Sequence, residues 1–375
     1  MTPDRIAAVS LTIARITPKT QWAFVELEMS SGLRGIGEAT ELGRERALAE
    51  SFPGIANSLI GMPEAMLRQT IGQMELPSLT EAAIASALDQ ASWDISGKRQ
   101  GTSIAAAAGS QRRTHVGVYA NINRRTSDRS PAGFAASALD AIMAGHEAVK
   151  IAPFDEVTRR DATLADARTA IYGGLARVRA VRQAIGDRRL MVDCHWRFNP
   201  DTARYVVDAA AELGLHWVEC PLSETEDHLK ELRSLRSRAN KQGVLLAGCE
   251  EMIRRKGFAP FLAAETYDVV MPDVKYAGGI EEMLAIAELA ERHSVQLSLH
   301  NPSGPICHAI SLQFIAMLEK PDLLEMQFDE TPLFDELLLE PGLPPVASGG
   351  ATLPSVSGCG VALSPTKLRS LAVSQ

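Results

Sequence analysis

Over the first forty residues apolar and polar positions alternate. Ile6 to Ile16 and Trp22 to Met29 carry β-branched and alternating apolar residues, and Ser30-Ser31-Gly32 turns the chain back into Leu33 to Ala39. This pattern predicts a small β-meander. From about Arg44 to Ala108 the period lengthens to that of an Ala- and Leu-rich helical region, with breaks expected at Pro53, Pro63 and Pro77. The clearest helix is Thr80 to Lys98, with Ser78 or Thr80 as N-cap and Gly97 near its end. A short meander followed by helices cannot form the core of 375 residues, so this region is read as a separate α+β module.

After Arg113 short apolar runs alternate with helical stretches. The runs are Val116 to Ile122, Ala148 to Ala152, Leu190 to Cys194, Trp217 to Cys220, Val244 to Ala247, Val269 to Met271, Val295 to Leu299 and Leu323 to Met326. One βα unit per step favours a parallel sheet, and eight units are the number that closes a (β/α)₈ barrel. An open doubly wound sheet is the alternative, but no GxGxxG follows any strand, and Gly-Gly at 173–174, 278–279 and 349–350 is too weak to mark a phosphate loop. The expected divisions are 1–112 for the first module, 113–330 for the barrel, and 331–375, rich in Pro and Gly, returning to the first module.

Composition narrows the class. An apolar fraction of 46% and a charged fraction of 22% fit a soluble protein with a large core. The net charge of −8, with Lys and Arg scattered, argues against nucleic acid or an anionic membrane as partner. No apolar run approaches the ~20 residues of a membrane span, and Met1 to Ile16 mixes charge with short apolar steps, which predicts no secretory leader. Five cysteines without CxxC spacing argue against a disulfide framework or a structural zinc site and favour a reducing cytoplasm.

Candidate chemistry follows the strand repeat. In a barrel, catalytic groups project from the C-terminal strand ends. Here the runs end near Lys150, Asp193, Glu219, Glu250, Asp273, His300 and Glu325, with intervals of 26, 31, 23, 27 and 25 residues from Asp193 onward. A lone strand-end carboxylate is more often a helix cap or a surface ion-pair partner. Asp193, Glu219 and Glu250 on three consecutive strands would instead converge and repel one another unless a cation sits among them. Hard oxygen ligands favour Mg²⁺, one per site, over zinc. Period-two alternation puts Asp193, His195 and Arg197 on one side of their strand and turns Cys194 away. Cys220 and Cys249 are likewise expected against helices, and Glu251 outward if Glu250 faces in. His115, His146, His228, His293 and His308 are read as structural residues of helices or loops.

At these residues the chain resembles the enolase superfamily, in the mandelate racemase subgroup. The resemblance rests on Gly35-Ile36-Gly37-Glu38-Ala39, Ser92-Trp93-Asp94, Val149-Lys150-Ile151, Val192-Asp193, Val218-Glu219-Cys220-Pro221, Gly248-Cys249-Glu250, Pro272-Asp273 with Gly278-Gly279, Leu324-Glu325 and Gly358-Cys359-Gly360-Val361. It implies an α/β fold: a modified TIM barrel, (β/α)₇β, with an α+β capping domain built from both chain ends. Asp193-Cys194-His195 and the run His300 to Pro305, paired with Asp273, look like acid-sugar dehydratases of the galactonate type. Two departures stand out: Ala152 replaces the second lysine of a Lys-x-Lys pair, and Cys249 replaces a glycine.

The resemblance implies Mg²⁺-dependent removal of the proton alpha to a carboxylate. His300, oriented by Asp273, would be the base. Lys150 would contact the substrate carboxylate or assist charge neutralisation, Glu325, if protonated, would donate to the other enediolate oxygen, and His195 would protonate the leaving hydroxyl, giving a 2-keto-3-deoxy acid. Loops at Pro18 to Gln21 and Thr40 to Arg44, with Arg197 and Asn301, would read a small carboxylate substrate. A homo-oligomer is implied as well. Racemisation, epimerisation or lactone cycloisomerisation through the same intermediate is the alternative, and a catalytically silent ligand-binding barrel is the reading from a different class.

Overall fold

A computed structural model describes residues 3–373. The first module opens with an antiparallel sheet of β1 (Ile6–Arg15), β2 (Gln21–Met29) and β3 (Arg34–Glu38). Four helices follow: α1 (Glu45–Leu59), α2 (Glu64–Gln73), α3 (Leu79–Gln100) and α4 (Ile104–Ala107). Ser78 caps α3 through its side chain, and the left-handed residue that ends the helix is Gly101, four residues beyond the expected Gly97. Pro53 does not break α1. Leu48, Phe52, Ala56 and Leu59 bury one continuous face across it, and that packing outweighs the missing backbone donor.

β3 shows why glycine recurs in this module. A Cβ on Gly35 would meet the Ala91 carbonyl oxygen at 2.1 Å, and one on Gly37 would meet that of Ala87 at 2.0 Å. The strand therefore lies directly on α3. Its outer N–H groups find acceptors there, Ile36 N on Asp94 Oδ2 at 3.0 Å and Glu38 N on Gln90 Oε1 at 2.8 Å. The sheet edge is closed by helix side chains instead of a fourth strand.

The barrel comprises β4 (His115–Asn121), α5 (Pro131–Met143), β5 (Ala148–Ile151), α6 (Leu164–Ile185), β6 (Arg189–Asp193), α7 (Pro200–Glu212), β7 (Trp217–Glu219), α8 (Leu229–Asn240), β8 (Leu245–Gly248), α9 (Arg254–Ala263), β9 (Val269–Val270), α10 (Ile280–Arg292), β10 (Gln296–Leu297), α11 (Pro305–Met317) and β11 (Leu324–Gln327). All eight expected strands are present, in the parallel order β10-β9-β8-β7-β6-β5-β4-β11. Asp322 N to Leu297 O at 3.2 Å and Glu325 N to Leu299 O at 3.4 Å link the two end strands. His115 begins β4 and so belongs to a strand, not to a helix or loop.

The remaining chain forms α12 (Leu333–Glu336), β12 (Gly350–Thr352) and α13 (Pro365–Leu371). β12 pairs antiparallel with the start of β4, Cys359 N bonds Asp94 Oδ1 on α3 at 2.8 Å, and Val373 N bonds Ile13 O on β1 at 2.8 Å. This segment thus ties the barrel to the first module. Among the described residues no helix is long and apolar enough to cross a membrane.

Gly37→Ala should destabilise the protein by about 1–3 kcal/mol in denaturant unfolding, because the added methyl meets backbone and not a flexible side-chain tip. Gly72→Ala, where nothing lies within 4 Å of the new Cβ on α2, should instead raise stability by up to about 1 kcal/mol. Equal effects of the two substitutions would contradict the direct seating of β3 on α3.

Candidate active site

The barrel interior is layered by the strand period. Tyr119, Ala148, Met191, Trp217, Ala247, Val269 and Met271 form a buried cluster. Two residues further along β4 to β7, on the same face, stand Asn121, Lys150, Asp193 and Glu219. Register aligns this polar layer, with Asn121 beside Lys150 and Asp193 beside Glu219.

Alternation alone would turn Cys249 inward after Ala247. Cys249 instead adopts φ 73°, held by its N–H on Glu224 Oε1 at 2.5 Å, and Glu250 swings into the polar layer. Glu251 is exposed. Ligand atoms of Asp193, Glu219 and Glu250 lie within 4.8 Å of one another, and all three residues are buried. Burial first, and then the charges of Asp193 and Glu219, push the Glu250 carboxyl well above its usual range. Glu219 is pushed up to about 7, by burial first, with Lys150 opposing. Asp193 is buried too, yet His195 and Lys150 hold it far below the usual range. A buried cluster of oxygen ligands that resists full ionisation is a site suited to a hard divalent cation.

Lys150 Nζ is committed on two sides, to Glu219 Oε1 at 2.6 Å and Glu325 Oε1 at 3.0 Å. Trp217 Nε1 donates to Glu219 Oε2 at 3.0 Å. Glu325 lies inside β11, not at its end, and also accepts from Asn121 Nδ2 at 2.6 Å and Asn301 N at 3.0 Å. Although burial opposes it, Lys150 holds Glu325 below the usual carboxyl range. Glu325 is thus surrounded by donors, and an acid role for it would require a proton that these contacts disfavour.

His195 and His300 flank the carboxylates from opposite sides. They follow β6 and β10, four strands apart either way around the ring of eight. His195 Nε2 lies 2.8 Å from Asp193 Oδ2, and the Asp193 charge raises the imidazole above its ordinary value. His195 reaches this position through a left-handed turn, φ 46° at His195 and 53° at Trp196, not through continued alternation. His300 Nδ1 donates to Asp273 Oδ2 at 2.8 Å, and its Nε2 stands 3.7 Å from Glu250 Oε1.

A cavity of about 400 Å³ opens over these groups. Its wall includes Lys150, Asp193, His195, Glu250 and His300, the carboxamides Asn121, Asn123 and Gln327, and Thr40, Glu41, Leu42 and Arg44 from the first module. The Thr40 to Arg44 loop is where it was expected, whereas Pro18 to Gln21 is absent from the wall; Thr20 Oγ1 bonds Glu330 instead. Arg197 and Asn301 do not line the cavity. The turn at His195 and Trp196 sends Arg197 to the carbonyls of Val157 (3.0 Å) and Asp155 (3.4 Å). Asn301 is held behind the wall by Glu325 O at 2.9 Å and His308 Nδ1 at 3.0 Å.

Cys194 and Cys249 pack in the outer hydrophobic core as expected. Cys220 does not: at φ 45° its thiol comes within 3.8 Å of Glu250 Oε2. Lys275 was missed. It lines the cavity and pairs with Asp273 Oδ2 at 2.7 Å. Its signal in the sequence was the Asp-Val-Lys spacing, the same two-residue step that joins Asp193 to His195.

Comparison with known proteins places these features. Residues 133–367 match the family described as enolase C-terminal domain-like, and residues 2–109 match the mandelate racemase / muconate lactonizing enzyme N-terminal domain. The D-galactonate dehydratase of Verminephrobacter eiseniae is 30% identical over 310 residues, 80% of this chain and 76% of that protein. The D-gluconate dehydratase of Thermoproteus tenax is 28% identical over 292 residues, 76% of this chain and 55% of that one. A member of the enolase superfamily from Salmonella Typhimurium has a TM-score of 0.85 at 21% identity, with 98% of each chain covered. A mandelate racemase/muconate lactonizing enzyme from Sulfitobacter sp has a TM-score of 0.86 at 24% identity, covering 99% of this chain and 96% of that one. These two structures establish likeness of fold.

The carboxylate cluster sets the pH dependence of cation binding. Glu219 and Glu250 have raised values in the folded chain, so their contribution to metal-free stability is present below about 4.5. It is lost as pH rises, through about 7 for Glu219. A divalent cation such as Mg²⁺ binds the ionised forms and offsets that loss. The stabilisation on adding it to EDTA-treated protein, read as a rise in Tm, should therefore grow from about pH 5 to about pH 8 and approach about 2.7 kcal/mol at a hundredfold excess over Kd. Glu250→Gln should remove the increment and Glu251→Gln should retain it. A pH-independent increment would count against the cluster as the binding site.

Proposed function

The chain belongs to the mandelate racemase/muconate lactonizing enzyme family, with an enolase-type C-terminal domain, and from that premise we propose that it is a Mg²⁺-dependent hydro-lyase. It dehydrates an acid sugar to a 2-keto-3-deoxy acid. The observation that carries this reading is the pair of imidazoles, His195 and His300, which follow strands four apart and each approach one buried cluster of three carboxylates, at 2.8 Å from Asp193 and 3.7 Å from Glu250. The dehydratase names of the curated relatives support it.

Asp193, Glu219 and Glu250 would hold Mg²⁺, which supplies positive charge against the negative charge that develops on the substrate carboxylate. Because Asp273 accepts the Nδ1–H of His300, Nε2 is left free to accept the α-proton. Lys150, on the cavity wall and fixed between two carboxylates, offers its remaining N–H to the substrate carboxylate. His195 carries a proton stabilised by Asp193 and gives it to the departing β-hydroxyl, which leaves as water. The enol that remains tautomerises to the keto acid.

The wall fits a polyol. The carboxamides Asn123 and Gln327 stand on the wall and would meet substrate hydroxyls. Ala152 adds no second base: its N–H faces Asn123 and its side chain is absent from the wall. Opposed imidazoles would also serve racemisation through the same α-carbanion, and that is the second reading.

A library of mono- and diacid sugars should yield keto acid from at least one member. In D₂O, His300→Asn should slow α-deuterium exchange by about 10³-fold, the middle of the range for loss of a general base. His195→Asn should keep exchange but reduce keto-acid formation by about 10²–10⁴-fold. Deuterated, stereo-inverted substrate without keto acid would replace dehydration with racemisation.

A further inference from the structure

We propose that Lys275 is a positioning residue for the base. Its ammonium braces the loop after β9, which carries Asp273, against the loop after β10, which carries His300. This rests on the reading of His300 as the proton acceptor.

The dyad residues lie past the last strand-like bonds, which reach Met271 N (to Gly248 O, 2.9 Å) and Leu299 O (from Glu325 N, 3.4 Å). β9 ends at Val270 and β10 at Leu297, three residues before Asp273 and His300 respectively. A side chain on an unpaired loop keeps productive geometry only if other contacts fix it. Lys275 supplies them from both directions. Its backbone N–H bonds Asp273 Oδ1 at 2.8 Å, and its Nζ bonds Asp273 Oδ2 at 2.7 Å, the oxygen that also accepts from His300 Nδ1. The same Nζ donates to the hydroxyl of Ser303, three residues beyond His300 on the other loop. A lysine present only to neutralise Asp273 would need the first contact. The Ser303 contact is what makes it a brace.

The surroundings support this role. Lys275 is 2% exposed, and an ammonium so buried is stable only with its partners in place. The two loops are also secured from behind by the first module. Gln90 Nε2 donates to Val274 O at 3.0 Å on the β9 side. Glu38 accepts from Gly304 N at 2.8 Å and Cys307 N at 2.9 Å on the β10 side. Gln90 and Glu38 are themselves joined at 2.8 Å. Lys275 closes this frame on its cavity side.

The test compares wild type, Lys275→Ala and Ser303→Ala by α-deuterium exchange on an acid sugar that the wild type turns over. Lys275→Ala should lower the exchange kcat about 10²-fold, the cost of a misplaced base, with KM within about threefold. It should keep the Mg²⁺-induced rise in Tm. Ethylammonium, which fits the vacated space and carries N–H donors, should restore at least about tenfold, and tetramethylammonium, equal in charge but without donors, should restore nothing. Ser303→Ala should fall between wild type and Lys275→Ala. Should Lys275→Ala fail to fold, wild-type exchange in Ser303→Ala would overturn the brace. Wild-type exchange in Lys275→Ala, or equal rescue by both cations, would overturn it too. A crystal structure of either variant reads the geometry without activity. A longer His300 Nδ1 to Asp273 Oδ2 separation supports the brace even if no acid sugar is exchanged and the functional reading fails, and an unchanged separation refutes it.

Discussion

Three carboxylates crowded into the mouth of a barrel set the terms for everything around them. Their ligand atoms lie within 4.8 Å. At an effective dielectric constant near 20, two unit charges at that distance repel by about 3–4 kcal/mol. Three such pairs rival the whole stability of an ordinary domain. The chain tolerates the cluster by withholding full ionisation from Glu219 and Glu250, and by placing the Lys150 ammonium between Glu219 and Glu325. Lys150 is itself seated over the Tyr119 ring at 5.6 Å. A cation is the remaining counter-charge, and the cavity above the cluster gives it a way in.

Strand register carries most of this geometry. Bulky residues plug the lower barrel, with Tyr119 edge-on to Trp217 at 5.7 Å, and the polar layer stands one alternation higher. Where alternation would aim the wrong residue, a left-handed residue intervenes: Cys249 before Glu250, Cys220 after Glu219, His195 and Trp196 after Asp193. Positive φ costs about a kcal/mol or more at a non-glycine residue. Four such residues around one cluster mark where backbone ease gave way to side-chain placement.

That division explains what could be read from sequence. Apolar runs ending in an ionisable residue at βα spacing located the eight strands, the three carboxylates and the His300–Asp273 pair, because strand period and strand end are local properties. Beyond the strand ends alternation stops holding. Arg197 was placed by a parity that the turn at His195 abolishes, and Cys220 was turned away from a site it touches. The donors around Glu325 were not legible because its ion pair with Lys150 spans residues far apart in the chain. Pro53 was taken as a break because the buried face that carries α1 through it is a tertiary feature. Lys275 was passed over because a lysine beside an aspartate reads as simple counter-charge until Ser303 is seen on its other side.

The two halves of the site are held by different parts of the molecule. The three carboxylates follow β6, β7 and β8, adjacent strands whose ladders run up to Asp193, Glu219 and Gly248, and the turn at Cys249, held by Glu224, places Glu250. The half with Asp273 and His300 follows β9 and β10, which are two residues long and pass into loops before either residue. Those loops are fixed instead by Lys275 and by Gln90 and Glu38 of the first module. Glu38 is positioned in turn because Gly35 and Gly37 let β3 lie against α3. The carboxylate cluster is therefore placed by the barrel, whereas placement of His300 is shared between domains. Changes in the first module can thus shift His300 while leaving the carboxylate cluster intact.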